Sequence, residues 1–324
     1  MVIQVGDVSL NDHILLAPMS GVTDFAYRAT LKSLGADVTI SEMVASKAII
    51  NDESGELRKI QKIDDRTIVQ IAGHEPEVMA EAAKRCEADG ALMIDINFGC
   101  PAKKVVNKYA GSAIMQDETL ARSIMQEIAK AVTIPVTVKM RTGWDADNRN
   151  AVQIARFAED ADLKMITVHG RTRAQKFSGT ADWQFIRNVK RAVSIPVIAN
   201  GDISSVDDAE KCLQESGADG VMVGRAAIGR PWLIPEINAR IAIKPVIYSI
   251  SLSEKLKVIK AHYCRILESY PHRLAVLGAR KHLAAYLTEL PQIDMAMQSI
   301  LRTEDAGEVL RRFDEYADRM SVAA

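Results

Sequence analysis

Cys100 stands in the run Asn97-Phe98-Gly99-Cys100-Pro101-Ala102-Lys103-Lys104, with Lys108 close behind and no acidic residue before Asp117. A thiol held in a turn beside three ammonium groups has the chemistry of a nucleophile or a proton donor, because nearby positive charge tunes its acidity. The other cysteines, Cys86, Cys212 and Cys264, fall inside helical periods and read as inert, buried thiols. Lys139 lies within a strand-like run, between Val138 and Met140, and Arg141-Thr142-Gly143-Trp144 follows. An ammonium group pointing inward is costly unless an anion or a polar ligand meets it. His169-Gly170-Arg171-Thr172-Arg173 adds an imidazole and two guanidiniums, with Lys176 next. Asn200-Gly201-Asp202 and Gly224-Arg225 place glycines at turns where backbone N–H groups could approach a phosphate closely. Gln70 and Asn97 supply amides, and Ala17-Pro18-Met19-Ser20-Gly21 offers backbone and an apolar wall. These groups suit a ligand with a phosphate at one end and a flat polar ring at the other; flavin mononucleotide (FMN) is such a ligand.

Groups so far apart in sequence need a scaffold that gathers them. Eight short runs rich in β-branched and apolar residues recur at 13–18, 37–43, 67–72, 92–97, 136–140, 165–169, 197–200 and 220–223. Amphipathic stretches at 76–88, 120–132, 151–161, 183–193 and 206–215 lie between them. Thr133-Ile134-Pro135 and Ser194-Ile195-Pro196 each close a helix and launch a strand, and the helical unit around 45–50 is short. This alternation predicts parallel strands with right-handed crossovers, closed into an α/β (β/α)8 TIM barrel. Active sites of such barrels form at the C-terminal ends of the strands, where the residues named above fall.

After Ser251 the strand pattern stops and helical segments follow at about 253–268, 274–289, 292–301 and 304–320. The expected division is a catalytic barrel over 1–245 and a small C-terminal all-α helical bundle over 246–324. The chain is nearly neutral, with 41 basic and 42 acidic residues among 324, but the charge is uneven. Residues 252–282 carry seven basic residues against two acidic ones, whereas 283–324 hold four basic and eight acidic. A neutral protein so patterned can still present a basic face to a polyanion. The 48% hydrophobic and 26% charged content describes a globular chain. No apolar run approaches the roughly 18 residues of a transmembrane helix. Residues 1–12 lack the basic and apolar regions of a signal peptide, so the expected address is cytoplasmic, with no membrane partner. No cysteine pairing or nearby histidine pattern indicates a disulfide frame or a metal site.

The chain resembles the tRNA-dihydrouridine synthases, and within them the bacterial B-type. The resemblance rests on Ala17-Pro18-Met19-Ser20-Gly21, Val69-Gln70-Ile71-Ala72-Gly73, Asp95-Ile96-Asn97-Phe98-Gly99-Cys100-Pro101, Lys139-Met140-Arg141-Thr142-Gly143-Trp144, His169-Gly170-Arg171-Thr172-Arg173, Asn200-Gly201-Asp202 and Gly224-Arg225. Arg280-Lys281-His282 is similar to the family's helical-domain motif, and the rest of the tail matches only loosely, which leaves the modified uridine open. The resemblance implies tightly bound FMN held through Pro18, Met19, Ser20, Gln70, Lys139, His169, Asn200, Gly201, Asp202, Gly224 and Arg225, to which the residue reading adds Asn97. It implies reduction of the C5=C6 bond of a D-loop uridine in tRNA, with NADPH as reductant. Hydride would pass from the reduced flavin to C6 and a proton from Cys100 to C5, and Lys139 would stabilise negative charge on the reduced ring. No GxGxxG fingerprint is present, in keeping with transient docking of NADPH.

A uridine in folded RNA must first leave its stack, at a cost of a few kcal/mol. Lys103, Lys104, Arg141, Arg171 and Arg173 on the barrel rim, with Arg280 and Lys281 from the tail, are the expected RNA contacts. On the first tail helix, Leu256, Ile259, Tyr263 and Ile266 form one stripe, while Lys257, His262 and Arg265 point elsewhere. Arg280, among apolar helical neighbours, is expected to emerge at the interdomain cleft. A monomer is expected. Two alternatives remain at this level. An FMN-dependent dehydrogenase of a free pyrimidine, of dihydroorotate or dihydropyrimidine type, explains the barrel and the thiol but not the basic helical tail. A non-catalytic RNA-binding protein that retains the barrel would make Cys100 dispensable.

Overall fold

The computed structural model describes residues 2–60, 63–64, 66–242 and 248–322. A hairpin comes first, β1 (Ile3–Val5) against β2 (Val8–Leu10), antiparallel with Ile3 opposite Leu10. There follow β3 (Ile14–Leu16), β4 (Thr39–Ile40), β5 (Val44–Ala45), β6 (Thr67–Ala72), β7 (Met93–Phe98), β8 (Val136–Arg141), β9 (Met165–His169), β10 (Val197–Asn200) and β11 (Gly220–Val223). The sheet runs in the order β3-β11-β10-β9-β8-β7-β6-β4, every neighbour parallel, with β5 added beside β6. The two ends of that order, β3 and β4, lie against each other, so the barrel is nearly closed. Its eight strands occupy the eight expected runs. The β1–β2 hairpin is additional, and three-residue strands carry too little pattern to stand out in the sequence.

Strict alternation along the strands sorts the side chains. Val69, Ile94, Ile96, Val138, Ile166 and Val168 belong to the core shared with the surrounding helices. Ile68, Met93, Met165, Ile198 and Met222, each next to an outward residue of its strand, join Leu15 and Ile40 in a separate cluster inside the barrel, closed by Ile3, Val5 and Leu10 of the hairpin. Above that apolar floor the inward positions become polar: Gln70, Asp95, Thr137 and Thr167, then Asn97, Lys139, His169 and Asn200. The helices around the barrel are started by caps at the βα junctions. Asp24, Asp117, Asp182 and Ser205 each accept a backbone N–H of the first turn that follows, an interaction typically contributing about 1 kcal/mol.

The tail forms helices at Leu252–Ser269, His272–Thr288, Met295–Gln298 with a 3-10 turn Ser299–Leu301, and Ala306–Val322, close to the four expected segments. The expected boundary between 245 and 246 lies outside the described residues. Leu256, Ile259, Tyr263 and Ile266 are buried in a core of their own, which also takes in Ala26 and Trp232 from the barrel. Tyr270 donates its hydroxyl to Asp24 at 2.8 Å, and Arg265 donates to Thr30 Oγ1 at 3.1 Å. Much of the positive charge of 252–282 is engaged in this docking: Lys255 lies over Trp232 and Lys281 donates to the Gly21 carbonyl, while Lys260 pairs with Asp314 inside the tail.

His262 departs from its expected outward position. It is fully buried, its Nδ1 is 2.9 Å from the Tyr286 hydroxyl, and its ring meets His282 edge-on at 4.8 Å. His282 stacks on Tyr27 of the barrel with centroids 5.6 Å apart. Tyr27, which meets both rings, comes from the barrel, and helical periodicity does not reveal it. Burial pushes both imidazoles below their ordinary range, His282 to about 3, and the neighbouring cation Lys281 acts in the same direction. A histidine with a depressed folded pKa contributes its full stability above the unfolded value near 6.5 and loses it as the pH falls below. His282 is therefore expected to cost roughly 2 kcal/mol of stability between pH 7 and pH 5, and His262 acts in the same direction. His282→Phe, which preserves the stack, should make the pH dependence of thermal unfolding shallower by about that amount; identical profiles would contradict it.

Candidate active site

The C-terminal ends of the strands open into one cavity of about 1140 Å3. That exceeds the roughly 300–1,000 Å3 of a typical small-ligand pocket. Pro18, Met19, Ser20, Gln70, Asn97, Lys139, His169, Asn200, Gly201, Asp202, Gly224 and Arg225 all line it, together with Cys100, Lys103, Lys104, Arg141 and Arg171. Arg173, Arg280 and Lys281 stand outside this lining.

Cys100 is half-buried in the turn after β7. Its N–H donates to Asn97 Oδ1 at 2.9 Å, as does that of Gly99 at 3.1 Å. Its carbonyl accepts both the N–H of Ser112, at 3.1 Å, and the Ser112 hydroxyl, at 2.9 Å. The twelve-residue excursion from Cys100 to Ser112 is thus pinned at both ends. Gly111 makes the closure possible: it has φ +64°, and a Cβ there would lie 2.9 Å from the Cys100 carbonyl oxygen. Lys103, Lys104, Lys108 and Tyr109 are exposed on the excursion.

Lys139 donates to Asn200 Oδ1 at 3.1 Å, and Asn200 donates to the Met222 carbonyl at 2.7 Å. Burial and the neighbouring Arg141 pull the Lys139 ammonium down to about 8, with Asp95 and Cys100 opposing, so it is mostly charged at neutral pH. His169 is driven well below its usual range by burial first, and then by Lys139, Arg141, Arg171 and Arg225. It is a neutral imidazole with one donor and one acceptor nitrogen. Gly201, with φ +116°, passes so close to it that a Cβ would lie 2.8 Å from His169 Cδ2. Beyond Gly224 a 3-10 turn, Arg225–Ala227, begins. The first N–H groups of such a turn have no partner inside it, which is the donor set an anion requires.

The arginines divide by burial. Arg141 is 2% exposed and donates to the carbonyls of Gly99 at 2.8 Å, Thr172 at 2.8 Å and Lys176 at 2.9 Å, tying the Cys100 turn to the loop after β9. Arg171 is 3% exposed; it pairs with Asp202 at 2.7 Å and donates to the carbonyls of Ser178 and Gly179. Arg173 lies over the Trp144 ring at 4.2 Å. Arg280 does not emerge at the interdomain cleft: its guanidinium donates to the carbonyls of Arg302 and Thr303 within the tail. A basic residue in a loop or at a helix edge reads as surface charge until the carbonyls that fold back onto it are known. Lys103, Lys104, Lys108 and Lys176, by contrast, are exposed and make no ion pair among the described residues.

Phe177 escaped the sequence reading. It lines the cavity, is 53% exposed, and carries the Arg225 guanidinium over its ring at 4.6 Å. A lone aromatic in an otherwise polar loop was the available signal.

A family model described as dihydrouridine synthase matches residues 15–320. The tRNA-dihydrouridine synthase B of Escherichia coli (strain K12) is 40% identical over 320 residues, 98% of this chain and 100% of that protein. That of Pseudomonas aeruginosa is 44% identical over 292 residues, covering 90% of this chain and 88% of its own. A probable tRNA-dihydrouridine synthase of Rickettsia conorii is 51% identical over 292 residues, 89% and 88% of the two chains. Among solved structures, histamine dehydrogenase from Rhizobium sp. 4-9 matches with a TM-score of 0.57 at 14% identity, covering 82% of this chain and 50% of that one. A morphinone reductase variant in complex with tetrahydroNAD matches with a TM-score of 0.53 at 14% identity, over 74% and 90%. These two share the fold of the barrel.

Arg141→Lys keeps the charge but not the planar fork, so the three carbonyls cannot all be satisfied. It is expected to lower stability by roughly 2–4 kcal/mol, read as a fall in the denaturation midpoint. An unchanged midpoint would contradict the clamp.

Proposed function

The chain belongs to the dihydrouridine synthase family, of the bacterial B type, and from that premise we infer that it is an oxidoreductase reducing the C5=C6 bond of a uridine in tRNA. One observation carries this reading: a half-buried thiol, an inward ammonium, a neutral imidazole and two glycine turns meet in one cavity large enough for a flavin and a base. The groups present fit FMN. At Gly224, in the cavity lining, only Ala17 Cβ, at 3.8 Å, lies within 4 Å of the place a Cβ would take, so the glycine leaves open space beside the 3-10 turn, which with Arg225 offers N–H groups and a cation to a phosphate. Lys139 and His169 present donors suited to the polar edge of the ring, with Gln70 and Asn200 beside them and Pro18, Met19 and Ser20 as a wall. FMN bound there supplies the hydride, and NADPH restores it.

The protein's own groups do the rest. Saturating the double bond takes one hydride and one proton, and Cys100 Sγ holds the proton destined for C5. Arg141 keeps the Cys100 turn fixed to the loop after β9, and the Lys139 ammonium sets positive potential where negative charge gathers. Lys103, Lys104 and Lys176 line the mouth, with Lys108 on the same excursion, and none has a carboxylate partner among the described residues; they serve as contacts for the RNA backbone. Arg141 and Arg171, with their donors on carbonyls, position loops instead. Lys281 is exposed and bonded to Gly21, next to Ser20 of the cavity, so it stands beside the mouth. These cations offset the cost of unstacking a base. The D-loop as the target and NADPH as reductant follow the family resemblance, and a cytoplasmic address follows the substrate. A monomer is the working unit of this proposal. The relatives named for tRNA and the unpaired rim lysines favour RNA over a free pyrimidine as substrate.

Cys100→Ala is expected to retain flavin and tRNA while slowing single-turnover dihydrouridine formation by about 10²–10⁴-fold. An unchanged rate would remove the thiol from the chemistry. Replacing both Lys103 and Lys104 by Ala should weaken tRNA binding and reduce its salt slope by about 2, leaving flavin reduction by NADPH intact. An unaltered slope would take both off the RNA path.

A further inference from the structure

We propose that Asp95, buried in β7 beneath the cavity, is a positioning residue that sets the direction of a hydrogen-bond chain ending on the Cys100 turn. The inference rests on the reading of Cys100 as the proton donor. Strand register places Gln70, Asp95 and Thr137 side by side in one row across β6, β7 and β8. Asp95 is 3% exposed and is not among the residues that line the cavity, so it has no direct access to a ligand. Its two oxygens accept the Thr137 hydroxyl at 2.7 Å and Gln70 Nε2 at 2.7 Å. Gln70 Oε1 then accepts Asn97 Nδ2 at 2.7 Å, and Asn97 Oδ1 accepts the N–H groups of Gly99 and Cys100.

The logic is one of donors and acceptors. A carboxylate only accepts, whereas a primary amide has a donating and an accepting end. With a carboxylate at position 95, Gln70 must turn its NH2 group down and its oxygen towards Asn97. Asn97 must then donate to Gln70 and raise its oxygen to the turn. If position 95 carries an amide, the buried end no longer fixes the direction, which then rests on the two N–H groups of the turn alone, and a share of the molecules can carry both side chains turned over. In those molecules Asn97 faces two N–H donors with a third donor, leaving buried N–H groups without acceptors. The turn would have to shift, and the thiol with it. Burial raises the Asp95 pKa above the ordinary carboxylate range, and the hydrogen bonds from Gln70 and Thr137, with the Lys139 charge, oppose that shift by favouring the ionised form.

Asp95→Asn tests this in the holoenzyme with an isosteric change. Single-turnover reduction of tRNA should slow by about 10–100-fold, with flavin content and tRNA affinity unchanged. The pH profile of Cys100 alkylation by iodoacetamide should shift as well. Thr137→Val removes a donor but keeps the direction of the chain, and should leave both readouts near wild type. Full activity with an unshifted profile in Asp95→Asn, or an equal loss in Thr137→Val, would overturn the proposal. If Asp95→Asn loses its flavin, the alkylation profile of Cys100 in that variant is compared with that of wild type freed of flavin: a shifted profile supports the chain, and an unshifted one overturns it. The alkylation profile does not depend on uridine chemistry. Normal turnover by Cys100→Ala would therefore defeat the donor reading separately from the role of Asp95.

Discussion

A strand that alternates strictly between two faces cannot choose its interior residue by residue, and a barrel closed on eight such strands inherits the restriction in layers. In this chain the outward positions are apolar along the whole strand, because helices cover them. The inward positions change character midway, from the floor of Ile68, Met93, Met165, Ile198 and Met222 to the polar layers above. Polar groups in such a place need partners. The protein supplies them laterally: Thr137 to Asp95, Asp95 to Gln70, Gln70 to Asn97, and Lys139 to Asn200. A mouth so satisfied is preorganised. Its side chains need no rearrangement to present a fixed pattern of charge to a ligand, which is the condition for electrostatic stabilisation of a developing charge.

The same mouth explains how a nearly neutral protein handles a polyanion. Cations that face inward are engaged: Arg141 and Arg171 by carbonyls, Lys139 by an amide. Those on the excursion after Cys100 make no ion pair among the described residues. The tail adds less free charge than its sequence promises, because Lys255, Arg265 and Lys281 hold it to the barrel and Lys260 and Arg280 act within it. The tail is therefore anchored by basic residues as much as advertised by them.

The barrel was legible in the sequence because its signal is redundant: eight runs, each with a polar or glycine-rich end, in an order that only a parallel closed sheet accommodates. Lys139 read correctly as inward, since alternation within Val138-Lys139-Met140 leaves it no other side. The cavity lining was legible for a related reason, as nearly every candidate sat at the C-terminal end of a strand. What escaped is non-local. The burial of His262 depends on Tyr27 and His282, and the burial of Arg141 depends on carbonyls from two other loops. Charge in a sequence carries no record of the backbone that will fold over it. The β1–β2 hairpin escaped because its strands are too short to show a period.

The account stands or falls on one transfer, from a flavin in this cavity to a uridine in RNA, and the most direct measurement omits the external reductant. Holoenzyme reduced beforehand and mixed anaerobically with unmodified tRNA, without NADPH, should form about one dihydrouridine per flavin as the flavin is reoxidised, while free uracil and orotate leave it reduced. A flavin that stays reduced in the presence of tRNA, or that is reoxidised equally well by the free bases, would contradict the account.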